Sequence, residues 1–446
     1  MLMHFHRTFL VVLLTCTCFN TRLHARQQTE IPPEIPEPGV ADSESAGAAE
    51  PDRVVEGRPN LYGVKKALHP FSWIEWGLRP AIQGVEKFAA GRLGPDAENK
   101  PPKVSGVKFS ISGVGGTGSS SGLGVEVRPF HNDLFGTGTE LEVPLGFTVR
   151  VYESYRFRLN YPLVRNDSFK RLGLELTGRY MSRPSESFYG IGNNSPHWAE
   201  ARFRSVSRTA GIALDARFND TWSLRVEEGY RSIGITKPRN HASVTDVFQG
   251  ADVPGLSEPN SAMLTTTASL QRSTKDRTNL ASSGGLQRIE ASLNDALTGG
   301  DFSYWRYMAE VQQFIPLDDS KRKVIALRAR LETTEEKGGS VIPFYDLPAI
   351  GGRQTVRGFA SRRYTDKSAV SASLEYRYRI WRHVDWGFFV DTGKVAPEIG
   401  NFARSRFHTG YGIRFMVRAK GDRAVSIDVG HSHEALMFYV DFTPDF

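Results

Sequence analysis

Three short stretches of the sequence contain residue types that could carry out chemistry. The Gly113–Gly118 stretch has the glycine content of a phosphate-binding loop, but it lacks the Lys-Ser/Thr pair that a P-loop requires. His431 and His433 would share one strand face, but no cysteine or acid cluster accompanies them as in a zinc site. Ser195 and His197 could supply a nucleophile and a base, yet they lie too close in sequence to imply a catalytic geometry. The sequence therefore predicts no enzyme and no cofactor or metal site.

The first 25 residues have the pattern of a secretory signal peptide. Arg7 precedes an apolar run from Phe9 to Phe19, and the small residue Ala25 follows at a suitable distance for cleavage. The run is too short to span a bilayer as a helix. Both cysteines of the chain fall inside this segment, so the mature protein would contain none. That excludes disulfides and cysteine-ligated metals, although the protein is expected to be exported.

Composition excludes two further classes of protein. Hydrophobic residues make up 39% of the 446 residues and the mean hydropathy is −0.36, so repeated apolar membrane helices are excluded. A formal charge of +7 would permit contact with nucleic acid. However, the 56 Lys and Arg residues are interleaved with 49 Asp and Glu residues. This favours charged side chains that lie in loops or in the interior of a pore over a surface that binds nucleic acid. We expect no nucleic-acid partner.

The segment between the signal peptide and residue 104 divides into two parts. Residues 26–60 are rich in proline and acids and poor in large apolar side chains, which predicts a disordered linker. Residues 61–103 contain apolar residues at helical spacing between 78 and 89, preceded by two tryptophans. This pattern predicts a short amphipathic helix, which would either lie at a membrane surface or pack on a domain.

From about residue 104 the hydrophobic pattern has a period of two. Every odd position of 141–151 is apolar, and in 372–380 apolar residues alternate with Ser, Glu and Arg. Such stretches predict strands with one apolar and one charged face. A soluble β-sandwich also alternates, but the charged faces here carry repeated Arg and Glu rather than Ser and Thr. With the export signal and the missing cysteines, this predicts an all-β fold, a transmembrane antiparallel β-barrel over 104–446.

We predict sixteen strands in this barrel, with the short helix on its periplasmic side. The predicted strands cover 104–113, 119–129, 139–151, 153–163, 169–182, 200–218, 221–235, 262–273, 283–295, 302–315, 322–334, 368–381, 384–395, 407–419, 423–433 and 435–446. Long gaps at 183–199, 236–261 and 335–367 each follow an odd-numbered strand. With both termini in the periplasm, those long gaps would all be extracellular, as outer-membrane barrels require.

Two motifs resemble the signatures of a known family. The gap 335–367 contains Val356-Arg357-Gly358-Phe359, and the thirteenth predicted strand contains Phe389-Val-Asp391-Thr-Gly393. They resemble the V-R-G-F/Y motif of the sixth outer loop and the F-x-D-x-G motif of strand thirteen in the outer-membrane assembly superfamily typified by BamA and TamA, the bacterial surface antigen family. Both lie at the corresponding positions of the predicted topology, and the resemblance covers roughly 104–446.

The resemblance implies a specific loop geometry. In the family this loop folds into the barrel and its arginine bonds the strand-thirteen aspartate, so Arg357 would reach Asp391 in the lumen. We refer to the implied arrangement as the loop lock; it comprises Val356, Arg357, Gly358, Phe359, Phe389, Asp391 and Gly393. Assembly-type relatives also carry periplasmic POTRA modules of β/α structure. Residues 26–103 lack that pattern, so the sequence resembles a barrel-only relative.

The end of the chain resembles the signal by which outer-membrane barrels are recognised for assembly. Apolar residues alternate along the last predicted strand and an aromatic residue ends it; they are Phe438, Val440, Phe442 and Phe446. The resemblance therefore implies the host barrel-assembly machinery as a partner during biogenesis.

The resemblance also implies a role in inserting or translocating proteins or lipids at the bacterial outer membrane. A weak seam between the first and last strands would serve this role, since Gly106 and later glycines reduce packing in the first strand. Expected partners are outer-membrane lipid, lipopolysaccharide and a protein or lipid client. Two alternatives remain open: a passive or gated channel of porin type, and a structural surface antigen.

Overall fold

A computed structural model describes residues 104–442 with gaps at 113–123, 165–170, 239–240, 251, 259, 382–383, 405 and 419–423. The signal peptide, the linker and the amphipathic helix expected in 1–103 lie outside the described residues. Within the described part of the chain, no helix is long and apolar enough to span a membrane.

Strands account for most of the described chain. They are β1 (Ser105–Ser112), β2 (Gly124–Leu134), β3 (Thr139–Glu142), β4 (Leu145–Thr148), β5 (Glu153–Val164), β6 (Arg171–Phe188), β7 (Ala201–Arg217), β8 (Trp222–Thr236), β9 (Asn260–Ser273), β10 (Gly284–Thr298), β11 (Tyr304–Pro316), β12 (Lys323–Glu336), β13 (Ala349–Ile350), β14 (Tyr364–Thr365), β15 (Ser368–Trp381), β16 (Val384–Ala396), β17 (His408–Arg418), β18 (Ala424–His431) and β19 (Leu436–Phe442). A short helix α1 (Val244–Val247) and 3-10 turns at His197–Ala199, Phe344–Asp346 and Ile399–Arg404 lie between strands.

Seventeen strands form one large antiparallel sheet, in which successive strands pair with each other. β3 and β4 both pair with β2 and with β5, so they are two halves of one strand. Pro144 lies at the break between them, where it has no N–H to donate to a ladder. The sheet therefore has the predicted sixteen strand positions, and the all-β barrel prediction is confirmed.

Two predicted strand ends fall short of the observed ends by five or more residues. β2 continues to Leu134 rather than ending at 129, because its pairing with β3 extends to Leu134 and Thr139. β6 continues to Phe188, which is paired with Ala201, so the connection to β7 is shorter than the predicted gap. In both places the paired neighbour extends the strand past the point where the alternation fades.

The first and last strands are joined differently from all other neighbours. The Cα atoms of β1 and β19 approach within 8 Å, but no ladder register joins them in the described residues. Every other neighbouring pair around the sheet has such a register, for example β18 with β19 and β1 with β2. Among the described residues, the seam between β1 and β19 is thus held by fewer backbone hydrogen bonds than the rest of the wall.

The two faces of the sheet are reversed relative to those of a soluble protein. Apolar side chains such as Phe157, Leu374 and Val440 are 42–49% exposed, whereas Glu126 and Glu375 are 7% and 0% exposed. A soluble fold with this arrangement would expose its apolar surface to water, but a barrel in a bilayer presents that surface to lipid. The charged face is therefore the inner face.

Candidate functional site

The connection between β12 and β15 (337–367) contains the predicted motif. It includes the 3-10 turn Phe344–Asp346 and the small hairpin of β13 and β14. Gly358 has a φ of 96°, a left-handed conformation that favours glycine. A Cβ at Gly358 would also lie 2.7 Å from the carbonyl carbon of His431, so the backbone could not approach the wall with a larger residue.

Arg357 makes a bidentate ion pair with Asp391 on β16. Its Nε lies 2.7 Å from Oδ2 and its Nη2 lies 2.9 Å from Oδ1 of Asp391. The backbone N–H of Arg357 donates a third hydrogen bond to Oδ2 at 3.0 Å. The two residues are 2% and 1% exposed. Such geometry fixes both the distance and the orientation of the two groups.

The ion pair belongs to a larger buried cluster on β15 to β18. Arg357 Nη1 also lies 3.3 Å from Glu375 and 3.1 Å from Asp428. Those two acids in turn accept hydrogen bonds from Arg414, with Nη1 at 3.0 Å from Glu375 and Nη2 at 2.7 Å from Asp428. Arg377 Nε lies 2.7 Å from Glu375. We call these residues the ion cluster; its three arginines balance its three acids.

The charges of the cluster are mutually compensating. Burial alone lowers the pKa of Arg357, but Asp391, and after it Glu375 and Asp428, raise that pKa above its ordinary value. The guanidinium of Arg357 therefore stays charged. Removing either sign from a buried balanced cluster would leave a charge without compensation.

Aromatic and apolar residues pack around the cluster. The Arg357 guanidinium carbon lies 3.4 Å from the centroid of the Phe389 ring, a close cation–π contact. Val356 and Phe359 are 0% and 1% exposed and pack in one apolar group with members of β13 to β16; the others are Ile350, Tyr364, Ala369 and Val395. A Cβ at Gly393 would lie 3.0 Å from Val356, so glycine leaves room for this packing.

The barrel wall has glycines instead of larger residues where the loop backbone approaches it. A Cβ at Gly410 on β17 would lie 1.8 Å from the carbonyl oxygen of Arg357, and one at Gly430 on β18 would lie 2.8 Å from the nitrogen of Gly358. Two strands thus present backbone rather than side chains to the motif. The loop and the wall fit closely only because these positions are glycine.

The motif also contacts the last strand. The Gly358 N–H donates to Tyr439 Oη at 3.0 Å, and Tyr439 Oη donates to the carbonyl of Phe359 at 3.1 Å. Arg353 and Asp441 form an ion pair nearer the end of β19. The motif and the residues before it therefore contact β19, the strand that borders the seam.

A second anchor lies at the 3-10 turn of the same connection. Asp346 accepts hydrogen bonds from Arg231 Nη1 on β8 at 2.9 Å and from Tyr304 Oη on β11 at 2.8 Å. Arg306 donates to the carbonyl of Asp346. Burial raises the pKa of Asp346, but Arg231 and then Arg306 lower it to a net value below its usual range. Sequence reasoning did not identify this anchor.

Three residues whose types could carry out chemistry make contacts with other side chains in the structure; they are Ser195, His431 and His433. Ser195 Oγ accepts a hydrogen bond from Arg363 at 3.1 Å. The His433 ring packs against Phe359 at 5.3 Å, and the His431 ring packs against Tyr411 at 5.4 Å. Across the described ranges, no group of three or more His, Cys, Asp or Glu residues could hold a metal ion.

The predicted C-terminal signal lies partly on the lipid face. Phe438 and Val440 are 61% and 49% exposed on the apolar face of β19. The Phe442 side chain and the whole of Phe446 lie outside the described residues.

A sequence model of the Omp85 superfamily domain matches residues 116–419, more than half of the chain. The chain belongs to the Omp85 superfamily. The family places this barrel in the bacterial outer membrane. The match covers barrel strands, in agreement with the predicted resemblance to a barrel without POTRA modules.

Solved structures share the Omp85 barrel fold. The crystal structure of BamA from Haemophilus ducreyi lacking POTRA domains 1-3 aligns with a TM-score of 0.58 at 18% identity, covering 77% of this chain and 70% of that chain. CdiB from Escherichia coli aligns with a TM-score of 0.50 at 14% identity, covering 77% of this chain and 62% of that chain. At these identities the likeness concerns the fold alone.

Proposed function

We propose that this Omp85 barrel assists the insertion or translocation of proteins or lipids at the outer membrane. The observation that carries the proposal is the buried contact of the 337–367 connection with four consecutive strands, β15 to β18, and with β19 beside the seam. A connection held by a balanced ion cluster stabilises one side of the seam. The other side, β1, lacks a comparable ladder to β19 in the described residues.

We infer that a client is handled at the seam between β1 and β19. An edge strand with unpaired backbone groups is a template for another strand. β1 is short and contains Gly106, which weakens its packing. A client strand or a lipid would enter where the wall is weakest, while the loop lock keeps β16 to β19 in place. The proposal assigns no enzymatic step to the barrel.

The orientation that follows from this proposal places both termini and the segment before residue 104 in the periplasm. The long connections, including 337–367, then face outward. Barrel-assembly machinery of the host would act during biogenesis and recognise the end of β19. A protein or lipid client, together with lipopolysaccharide of the outer leaflet, would be the partners in function.

Depletion of the protein in its host tests the proposal. The outer-membrane proteome and the lipid asymmetry of the membrane would be measured after depletion. We expect loss of a subset of outer-membrane proteins or loss of asymmetry. If small-solute uptake alone changes, the assembly role is rejected.

The polar inner face favours one alternative, a gated channel. Planar-bilayer recordings of the wild type and of a deletion of 340–362 distinguish the two functions. Large, steady, solute-selective currents in the wild type would support the channel. Currents that appear only in the deletion variant would agree with a barrel kept closed by its connection.

A further inference from the structure

The lipid face of β4 to β7 carries a groove that the function proposed above does not use. It is a shallow, open depression with a volume of about 410 Å³. The walls are apolar side chains from the β3–β4 junction, β5 and β6; they are Val143, Leu145, Tyr155, Phe157 and Tyr180. Phe157 is 42% exposed on the apolar face, which places the groove on the outside of the barrel.

Gly178 forms the floor of the groove. Leu172, Leu174 and Leu176 occupy the preceding positions on the same face of β6, and Tyr180 follows, so glycine interrupts a run of large side chains. A Cβ at Gly178 would meet only Phe157 at 3.7 Å, an ordinary contact distance. A larger residue would therefore fit sterically, and the groove exists because this position is empty.

Three arginines line the groove, namely Arg156, Arg179 and Arg208, and Arg208 is the one on the lipid face. Arg208 on β7 is the register partner of Tyr180, and Tyr180 is the partner of Tyr155, so all three share the lipid face. The Arg208 guanidinium carbon lies 5.7 Å from the Tyr180 ring centroid, and that ring stacks on Tyr155 at 5.5 Å. No carboxylate among the described residues lies within ion-pair distance of Arg208.

The position of Arg208 along β7 corresponds to a membrane boundary. On the lipid face, apolar residues follow it at alternate positions from Ala210 through Ile212 and Leu214. Arg204 precedes it toward the end that carries the long connections. Tyrosines and an arginine at the edge of an apolar band are typical of the headgroup level of a bilayer.

We propose that this groove binds one acyl chain of an anionic, phosphate-bearing lipid whose phosphate pairs with Arg208. Guanidinium groups recognise phosphate by paired charge-assisted hydrogen bonds. The tyrosine stack holds Arg208 at the headgroup level, and the empty position at Gly178 admits the chain below it. Charge complementarity favours a lipid because the apolar groove matches an acyl chain and Arg208 at its edge matches a phosphate. The inference depends on the outer-membrane barrel and not on its role in translocation.

Two variants test the two parts of the site separately. Arg208→Gln removes the charge, and Gly178→Val fills the groove with a residue that suits an exposed strand. Each protein would be assembled in phosphatidylcholine nanodiscs that contain a minor fraction of lipid A. Lipid retained after transfer to detergent would then be counted by native mass spectrometry. We expect each variant to retain about tenfold less lipid A than the wild type.

Arg272→Gln is the matched control. Arg272 is also on the lipid face, beside Trp222 at the opposite edge of the band, and lies far from the groove in the sheet order. This variant should retain lipid A as the wild type does. Equal retention by all four proteins would overturn the proposal, and so would equal retention of dephosphorylated lipid A. Occupation of the groove by a second copy or a co-purified protein would overturn it as well.

Discussion

The buried charges around Arg357 form a set in which each group satisfies several others. Arg357 reaches three acids, and Glu375 and Asp428 are each shared with Arg414. Breaking a buried pair by removing one partner is strongly destabilising, at about 3–5 kcal/mol. The local free energy that holds the connection therefore depends on single side chains.

The first prediction concerns the coupling of Arg357 and Asp391. Arg357→Ala should loosen the connection more than Asp391→Ala, because Arg357 loses three acidic partners and Asp391 loses one arginine. We expect protease cleavage within 337–367 to increase for both variants. The losses of the two variants should not add in the double variant, since the residues share an interaction.

Lys367→Ala provides the control for that cycle. Lys367 pairs with Glu336 at 2.8 Å, but both side chains are about 40% exposed. Exposed pairs contribute little, on the order of 0–1 kcal/mol. Additive losses for Arg357 and Asp391, or equal cleavage of the Lys367 variant, would show that the ion pair does not hold the connection.

The second prediction concerns the glycines of the wall. Gly410→Ala introduces a methyl group 1.8 Å from the backbone of Arg357, so the motif must move away from β17. We expect cleavage of the connection similar to that of Arg357→Ala, although no charge changes. Gly400→Ala is the control, because a Cβ there would meet nothing within 4 Å. A resistant Gly410→Ala protein would contradict the close fit of loop and wall.

The two motifs of this site were predicted from the sequence, but the other members of the ion cluster were not. Val356–Phe359 and Phe389–Gly393 are short contiguous motifs, so their residue types were visible. Glu375, Asp428 and Arg414 were visible only as members of charged strand faces. Their meeting depends on the register of four strands, and a one-residue slip would turn each side chain to the lipid face.

At the level of elements, the connection 337–367 is held at two separate places. Asp346 anchors its first part to β8 and β11, and the motif anchors its second part to β15 to β19. The two anchors lie on different stretches of the wall in the strand order. Losing one anchor should release one part of the connection and leave the other in place.

The third prediction follows from the charge of Asp346. Because its folded pKa lies below the usual value, the anchor contributes stability above about pH 4 and loses it as the pH falls through the folded pKa. Pepsin cleavage near Asp346 should therefore rise as the pH falls below about 4. Asp346→Asn should be cleaved at every pH tested, while the exposed Asp319→Asn should behave as the wild type. Cleavage of the wild type that does not change with pH would exclude this anchor.

Strand alternation predicted nearly every element, because lipid on one side and water on the other impose a period of two. The break at Pro144 was not predicted, since β3 and β4 share one alternating pattern. The anchor at Asp346 was also not predicted from the sequence. Its partners Arg231 and Tyr304 are 115 and 42 residues away, and no motif marks them.

At the level of the whole molecule, the inner face is polar and the outer face is apolar, so the apolar face requires the lipid of a bilayer around it.

The fourth prediction tests the orientation proposed for this barrel. Ser45→Cys and Asp252→Cys would be labelled separately in intact cells with a membrane-impermeant maleimide, in a mature chain expected to lack cysteine. Residue 252 should react and residue 45 should not, until the outer membrane is permeabilised. Reaction of both in intact cells would contradict the orientation.

The partners of the motif are spread along the chain in one direction. From Arg357 or Gly358, the side chains of Glu375, Asp391, Asp428 and Tyr439 follow 18, 34, 71 and 81 residues later. During biogenesis the connection therefore has no complete binding site until the final strand has arrived. Closure of the connection therefore depends on the presence of β19. A truncated chain would be left with an open, protease-sensitive interior by which quality control could recognise it.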